Sequence, residues 1–207
     1  MSQSRQLAAI MFTDIVGYTA LMGKDEQKAF QLLKKNRQIQ QPLIKQYNGN
    51  WIKEIGDGVL ASFTTVTDAV MCAGSIHKAC RAVEGLQLRI GIHLGEVVFE
   101  DNDVFGDGVN IASRLQTLAP IGGTFVSETV YKNVSNKKEI ITEFIREEIL
   151  KNVSEPVKIY EIKIKETADQ QPEIVQGLKK GSIIIKANKR KAIFGIGALI
   201  VIAAILS

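Results

Sequence analysis

The chain has 207 residues, enough for one well-cored domain with appendages, and a formal net charge of +4. The basic excess is local, because Lys179, Lys180, Lys186, Lys189, Arg190 and Lys191 crowd near the C-terminus, so it does not point to a nucleic-acid partner. Two cysteines, Cys72 and Cys80, share one helical pattern and read as reduced packing residues in a cytosolic domain.

The polar N-terminus carries no secretory signal. From Leu7 to Thr19, LAAIMFTDIVGYT, an apolar strand runs into Asp14, and Ile15, Val16 and Gly17 lead towards a helix. A carboxylate at a strand end beside a helix N-terminus suits a Mg²⁺–triphosphate: the acid holds metal, and free backbone N–H groups meet phosphate. Gly17 would let phosphates approach the backbone. Lys24 to Tyr47 reads as one long helix with Ala29, Leu32, Leu33, Ile39, Leu43 and Ile44 as its apolar stripe. Pro42 is a kink candidate, and Asn48-Gly49 ends the helix.

Trp51 to Phe63, WIKEIGDGVLASF, is two short strands joined by Gly-Asp-Gly, a hairpin signal. Glycines on both sides of Asp57 predict positive-φ backbone and an uncrowded carboxylate at the tip. Alone, this is a common turn; the acidic strand end at Asp14 makes the two a candidate pair. Lys53 stands four residues before Asp57, on the same strand face by the period-two rule. At strand rise the two groups would lie roughly 13 Å apart, about the span from a purine to its phosphates.

Thr67 to Val83 is a second helix, with Ala69, Val70, Ala73, Ile76, Cys80 and Val83 inward, and Leu86 to Glu96 alternates as a strand that Val97 to Phe99 extends. The order β-α-β-β-α-β predicts a ferredoxin-like arrangement with helices on one face of an antiparallel sheet. His93 and Glu96 read as structural, since a lone histidine between apolar neighbours is usually just hydrogen-bonded. Next, in DVFGDGVNIASRL, Gly106-Asp107-Gly108 is a turn and Asp107 a helix-cap candidate. Asn110 and Arg114 are then an i, i+4 pair, by spacing alone a surface pair.

Gly122 to Ser127 is a further strand and Glu128 to Val134 a short helix. Phe144 to Leu150 and Val157 to Ile164 form a terminal strand pair around Ser154-Glu155-Pro156. Residues 165–191 read as a basic linker. Ala192 to Leu206 is an apolar run of 15 residues after Lys-Arg-Lys, short of the roughly 20 a span needs. Residues 192–207 are read as a truncated or short transmembrane helix, with the catalytic domain on the cytoplasmic side of the membrane.

FTDIVGYT followed by KEIGDGVLASF, VNIASR and LKNVSEPVKIYEI resembles the class III nucleotidyl cyclase catalytic domain, the adenylate and guanylate cyclase family, over about residues 5 to 164. The resemblance implies an α+β fold: a ferredoxin-like βαββαβ core with additional C-terminal strands, in a catalytic domain at residues 1–164. It implies conversion of ATP to cyclic AMP and pyrophosphate. Asp14, Asp57 and the Ile15 carbonyl would hold two Mg²⁺ (or Mn²⁺) ions. Asn110 would orient the ribose, Arg114 would meet charge developing at phosphorus, and Lys151 would reach the triphosphate. Asn152 departs from the family, which often has glycine there. His93, Glu96 and Asp107 are given no role.

Lys53 and Asp103 would read the base, adenine offering an acceptor at N1 and a donor at N6. The family's guanine-specific members carry a glutamate and a cysteine there, so ATP is favoured. By hydrogen bonding alone, lysine could also donate to guanine O6 while the acid took N1–H. The metals come from one protomer and the base and transition-state groups from the other, which implies a head-to-tail homodimer with two composite sites. A guanylate cyclase and a catalytically silent regulatory or dimerisation module are the alternatives. A diguanylate cyclase would show a GGDEF-like hairpin in place of GDG.

Overall fold

The computed structural model describes residues 4–101 and 103–165. Nearly all of the basic linker, and the whole apolar run with its membrane reading, lie outside the described residues. Among those described, no helix is long and apolar enough to cross a membrane.

The chain folds in the order β1 (Ser4–Ile15), α1 (Tyr18–Lys24), α2 (Glu26–Gln46), β2 (Gly49–Ile55), β3 (Gly58–Phe63), α3 (Val66–Cys80) and β4 (Leu88–Glu100). There follow β5 (Asp103–Phe105), α4 (Asp107–Leu118), β6 (Thr124–Ser127), α5 (Glu128–Val134), β7 (Ile140–Glu148) and β8 (Val157–Ile164). One sheet runs β2-β3-β1-β4-β6-β8-β7, with β5 paired to β4. Its first half is the ferredoxin-like order expected, and the additional C-terminal strands extend the far side.

Three local expectations change. The long helix starts at Glu26 instead of Lys24, because Asp25 leaves helical geometry and its carboxylate accepts from the Lys28 amide at 2.9 Å; Lys24 ends the short α1 before it. An N-cap aspartate sets a helix start that apolar periodicity alone does not mark. The sheet is mixed, since β4 and β6 pair in parallel. The chain crosses between them through α4, the connection that parallel neighbours require.

Third, helices cover both faces. Ala9, Met11 and Ile15 of β1 join Leu32, Ile39 and Leu43 of α2 and Ala73 and Ile76 of α3 in the main core. Ala8 and Ile10, pointing the other way, pack with Leu60, Val97 and Ala112 of α4. A strand buried on both sides is apolar nearly throughout, as β1 and β3 are. Continuous burial of β3 shows the same.

Gly91 seats α4. A Cβ there would lie 2.2 Å from the Ala112 carbonyl oxygen and 2.2 Å from the Gln116 nitrogen, both backbone atoms that cannot rotate away. Gly91→Ala is therefore expected to cost about 3 kcal/mol, the upper end for overpacking. Chemical denaturation reads this directly, and an unchanged midpoint would mean that α4 is not seated on β4.

Candidate active site

Asp14 is the penultimate residue of β1, on the α4 face with Ala8, Ile10 and Phe12 by the alternation of a strand. In the antiparallel ladder its partner on β4 is Arg89. The hairpin brings Asp57 to the same place: its Oδ2 accepts from the Ile15 amide at 3.1 Å. Asp57 is thus half-buried and folded back onto β1, not free at a tip as expected.

Its two glycines do different work. Gly56 adopts φ 62° in the turn. Gly58 begins β3, and a Cβ there would meet the Thr13 carbonyl oxygen at 2.6 Å. Close approach of two backbones, not positive φ, makes the second glycine necessary.

Burial first, and then the neighbouring Asp57 through its charge and hydrogen bond, push the Asp14 carboxyl up to about 6. Arg89 and the Gln116 amide of α4 act the other way. A carboxyl pushed up by a second carboxylate beside it marks a place suited to a cation. Among the described residues no cluster of three or more His, Cys, Asp or Glu is placed to hold a metal. A hard cation at this pair would draw its remaining ligands from backbone carbonyl, water and substrate oxygens. Gly17 stands just beyond, at φ 75°, as N-cap of α1, with nothing within 4 Å of where a Cβ would be.

Lys53 and Asp103 are also brought together: Nζ donates to Oδ2 at 2.5 Å, and Oδ1 accepts from the Val104 amide at 2.8 Å. Their hydrogen bond is the main reason the Asp103 carboxyl lies below its ordinary range. β2 shifts register between Trp51 and Lys53 and ends at Ile55, so the period-two rule does not reach from Lys53 to Asp57.

On α4, Gly106 is the N-cap, without a side-chain hydrogen bond, and Asp107 is the first helical residue instead of the cap expected. Gly108, Ala112, Leu115 and Gln116 are buried. At about 100° per residue, Asn110 and Arg114 lie on the side of the helix opposite Ala112. They share a face with each other and point away from the Asp14–Asp57 pair of their own chain. Asn110 is exposed, whereas Arg114 Nε is buried with no hydrogen-bond partner among the described residues. An orphaned donor of this kind costs free energy unless an acceptor arrives.

Lys151 is exposed in the turn after β7. Asn152 follows it at φ 64°, the left-handed conformation that favours glycine and that asparagine tolerates. The departure from glycine therefore keeps the loop geometry. His93 is structural: Nδ1 lies 2.8 Å from Ser127 Oγ, and burial pulls its pKa down to about 4. Glu96 is exposed, 3.6 Å from Arg5.

Sequence reasoning passed over Arg89 and Gln116, which reach Asp14 only through strand register and the seating of α4. It also passed over Asn36 and Gln40, whose signal was present as polar side chains inside the apolar stripe of α2.

A family model described as "Adenylate and Guanylate cyclase catalytic domain" matches residues 1–163. "Putative adenylate cyclase 3" of Rhizobium meliloti (strain 1021) is 35% identical over 178 residues, 82% of this chain and 30% of the relative. "Adenylate cyclase" of Streptomyces coelicolor is 32% identical over 114 residues, 54% of this chain and again 30% of the relative. The chain thus spans under a third of the length of these two relatives. Among solved structures, "Adenylate/Guanylate Cyclase/Hydrolase" from Silicibacter pomeroyi superposes with a TM-score of 0.73 at 32% identity, covering 79% of this chain and 100% of that one. With a carboxylate pair at the end of β1 and an Asn–Arg face on α4, the chain belongs to the adenylate and guanylate cyclase catalytic-domain family.

Proposed function

We propose that the domain is an adenylate cyclase that works as a homodimer, each site taking Asp14 and Asp57 from one protomer and Asn110 and Arg114 from its partner. The observation that carries this is orientation: Asp14, with Asp57 beside it, faces α4 from the sheet, while Asn110 and Arg114 lie on the side of α4 opposite its buried face. The names of several relatives support the reading.

The reaction is in-line attack of the ribose 3′-oxygen on the α-phosphorus. The bond to the bridging oxygen breaks, pyrophosphate leaves, and the 3′ proton passes to solvent or phosphate. Asp14, Asp57 and the Ile15 carbonyl suit two Mg²⁺ or Mn²⁺ ions. Bound there, the ions would lower the pKa of the 3′-OH and neutralise the leaving pyrophosphate. Arg114 brings an unpaired donor to oxygens gaining charge, and Asn110 orients the ribose. Lys151 contacts the triphosphate, Gly17 leaves room for it, and Arg89 stands beside the carboxylates as a further cation. Catalysis is positioning and charge stabilisation, with no dedicated protein base. Cyclic AMP formation from Mg-ATP or Mn-ATP, measured beside GTP, tests the reading; no cyclic nucleotide from either would refute it.

The Lys53–Asp103 pair is poised for adenine, the ammonium meeting N1 and the carboxylate N6. Lys53→Glu with Asp103→Cys should lower ATP selectivity by roughly 10- to 100-fold, the worth of one matched buried polar contact. An unchanged ATP:GTP ratio would mean that the base is read elsewhere.

Proton linkage gives a second check. The Asp14 carboxyl is raised from 3.8 to about 6 by burial and by Asp57. Its contribution to stability is therefore full below the unfolded value and is lost as pH rises through the folded one. Divalent cation, binding the ionised pair, should offset that loss. Thermal unfolding should show a larger Mn²⁺-induced stabilisation at pH 7.5 than at pH 5, and equal shifts would contradict the cation site.

A further inference from the structure

One turn of α2 sits over both carboxylate-bearing segments. Glu54 pairs with Val59, and Val59 pairs with Thr13, so the three form a row across β2, β3 and β1. Cross-strand partners project to the same face. Val59 packs in the core shared with α2, so Thr13 and Glu54 face that helix too.

Each end of the row is tied to α2. Thr13 Oγ1 donates to Gln40 Oε1 at 3.1 Å, and Gln40 Nε2 donates to Asn36 Oδ1 at 2.6 Å. All three are buried, at 0%, 0% and 1% exposure. At the other end Arg37 grips Glu54 with two bonds, Nε to Oε1 at 2.6 Å and Nη2 to Oε2 at 2.5 Å. Thr13 immediately precedes Asp14, and Glu54 lies three residues before Asp57. Asn36 and Arg37 line the same small cleft as Glu54, Asp57 and Gly58.

A wholly apolar α2 would bury this face at less cost, because polar groups inside a core add little net stability. What they add is geometry, since hydrogen bonds fix direction where apolar packing does not. We infer that Asn36, Arg37 and Gln40 are positioning residues: this turn of α2 clamps the ends of β1 and β2 and so sets Asp14 against Asp57. The inference rests on the metal reading of those two aspartates.

The test is direct titration of the full chain with Mn²⁺ alone, followed by electron paramagnetic resonance, beside thermal unfolding. The apolar triple Thr13→Val, Asn36→Leu, Gln40→Met removes every partner of the buried chain at once, leaving none orphaned. It should keep its unfolding midpoint within a few degrees yet bind Mn²⁺ about tenfold more weakly, as loss of supporting contacts around a metal site does. Arg37→Met should weaken binding about threefold, less than the buried triple, because an ion pair open to water contributes less. Should the triple variant fail to fold, Arg37→Met decides alone. Wild-type binding with unchanged affinity in the folded variants would overturn the clamp and leave the metal reading intact. Absence of Mn²⁺ binding by the wild type would overturn the metal reading, and the clamp with it.

Discussion

Asp14→Ala is expected to abolish cyclic AMP formation while leaving the fold intact, and Asp57→Ala to do the same at a small cost in stability. Holding cation against triphosphate is worth several kcal/mol of transition-state charge stabilisation, so turnover should fall on the order of 10³-fold or more. The two variants should part in their unfolding. Asp14 is held at raised pKa by burial and by Asp57, so its removal at neutral pH relieves an unfavourable charge. Asp14→Ala should therefore unfold no more easily than the wild type. Asp57 instead accepts from the Ile15 amide, and losing that acceptor should cost about 1 kcal/mol. Near-normal turnover in either variant, with Mg²⁺ as the sole divalent ion, would sink the metal assignment.

Much of this site was legible in the sequence, for reasons that particular residues make plain. Asp14 and Asp57 stand at the ends of apolar runs, and such runs announce strands whatever their surroundings. Asn110 and Arg114 share a helix face by spacing alone. Hidden was everything that depends on which element covers which. The apolar run marked β1 as a strand but did not tell that α4 covers its second face. Arg89 comes opposite Asp14 through register. Gly58 and Gly91 read as turn or strand glycines, yet both are places where one backbone lies against another. The Asp25 cap escaped because an N-cap side chain fixes a helix start without disturbing the apolar period. Gln40 and Asn36 looked like irregularities in a stripe. Their partners, Thr13 and each other, needed the packed structure to appear.

The largest gain of function should come from two dead chains. α4 carries Gln116 towards the Asp14 of its own chain and Arg114 on the opposite side, so one helix serves two places. Arg114 cannot turn to its own carboxylates without unseating the buried side of α4, which Gly91 holds against β4. Its open direction is outward, to a second copy of the chain. If each site takes its carboxylates from one protomer and Arg114 from the other, pairing Asp14→Ala with Arg114→Ala gives a heterodimer in which one site collects both lesions and the other collects none. With random pairing about half the dimers are mixed, and each has one good site of two, so about a quarter of wild-type activity should return. Co-expression with two affinity tags, followed by tandem purification, isolates the mixed dimers and should raise the recovery to about half. Sites contained within one chain predict no recovery at any ratio, because every chain then carries its own lesion. Background activity in demonstrably heterodimeric protein would refute the composite site while leaving the Asp14–Asp57 pair untouched.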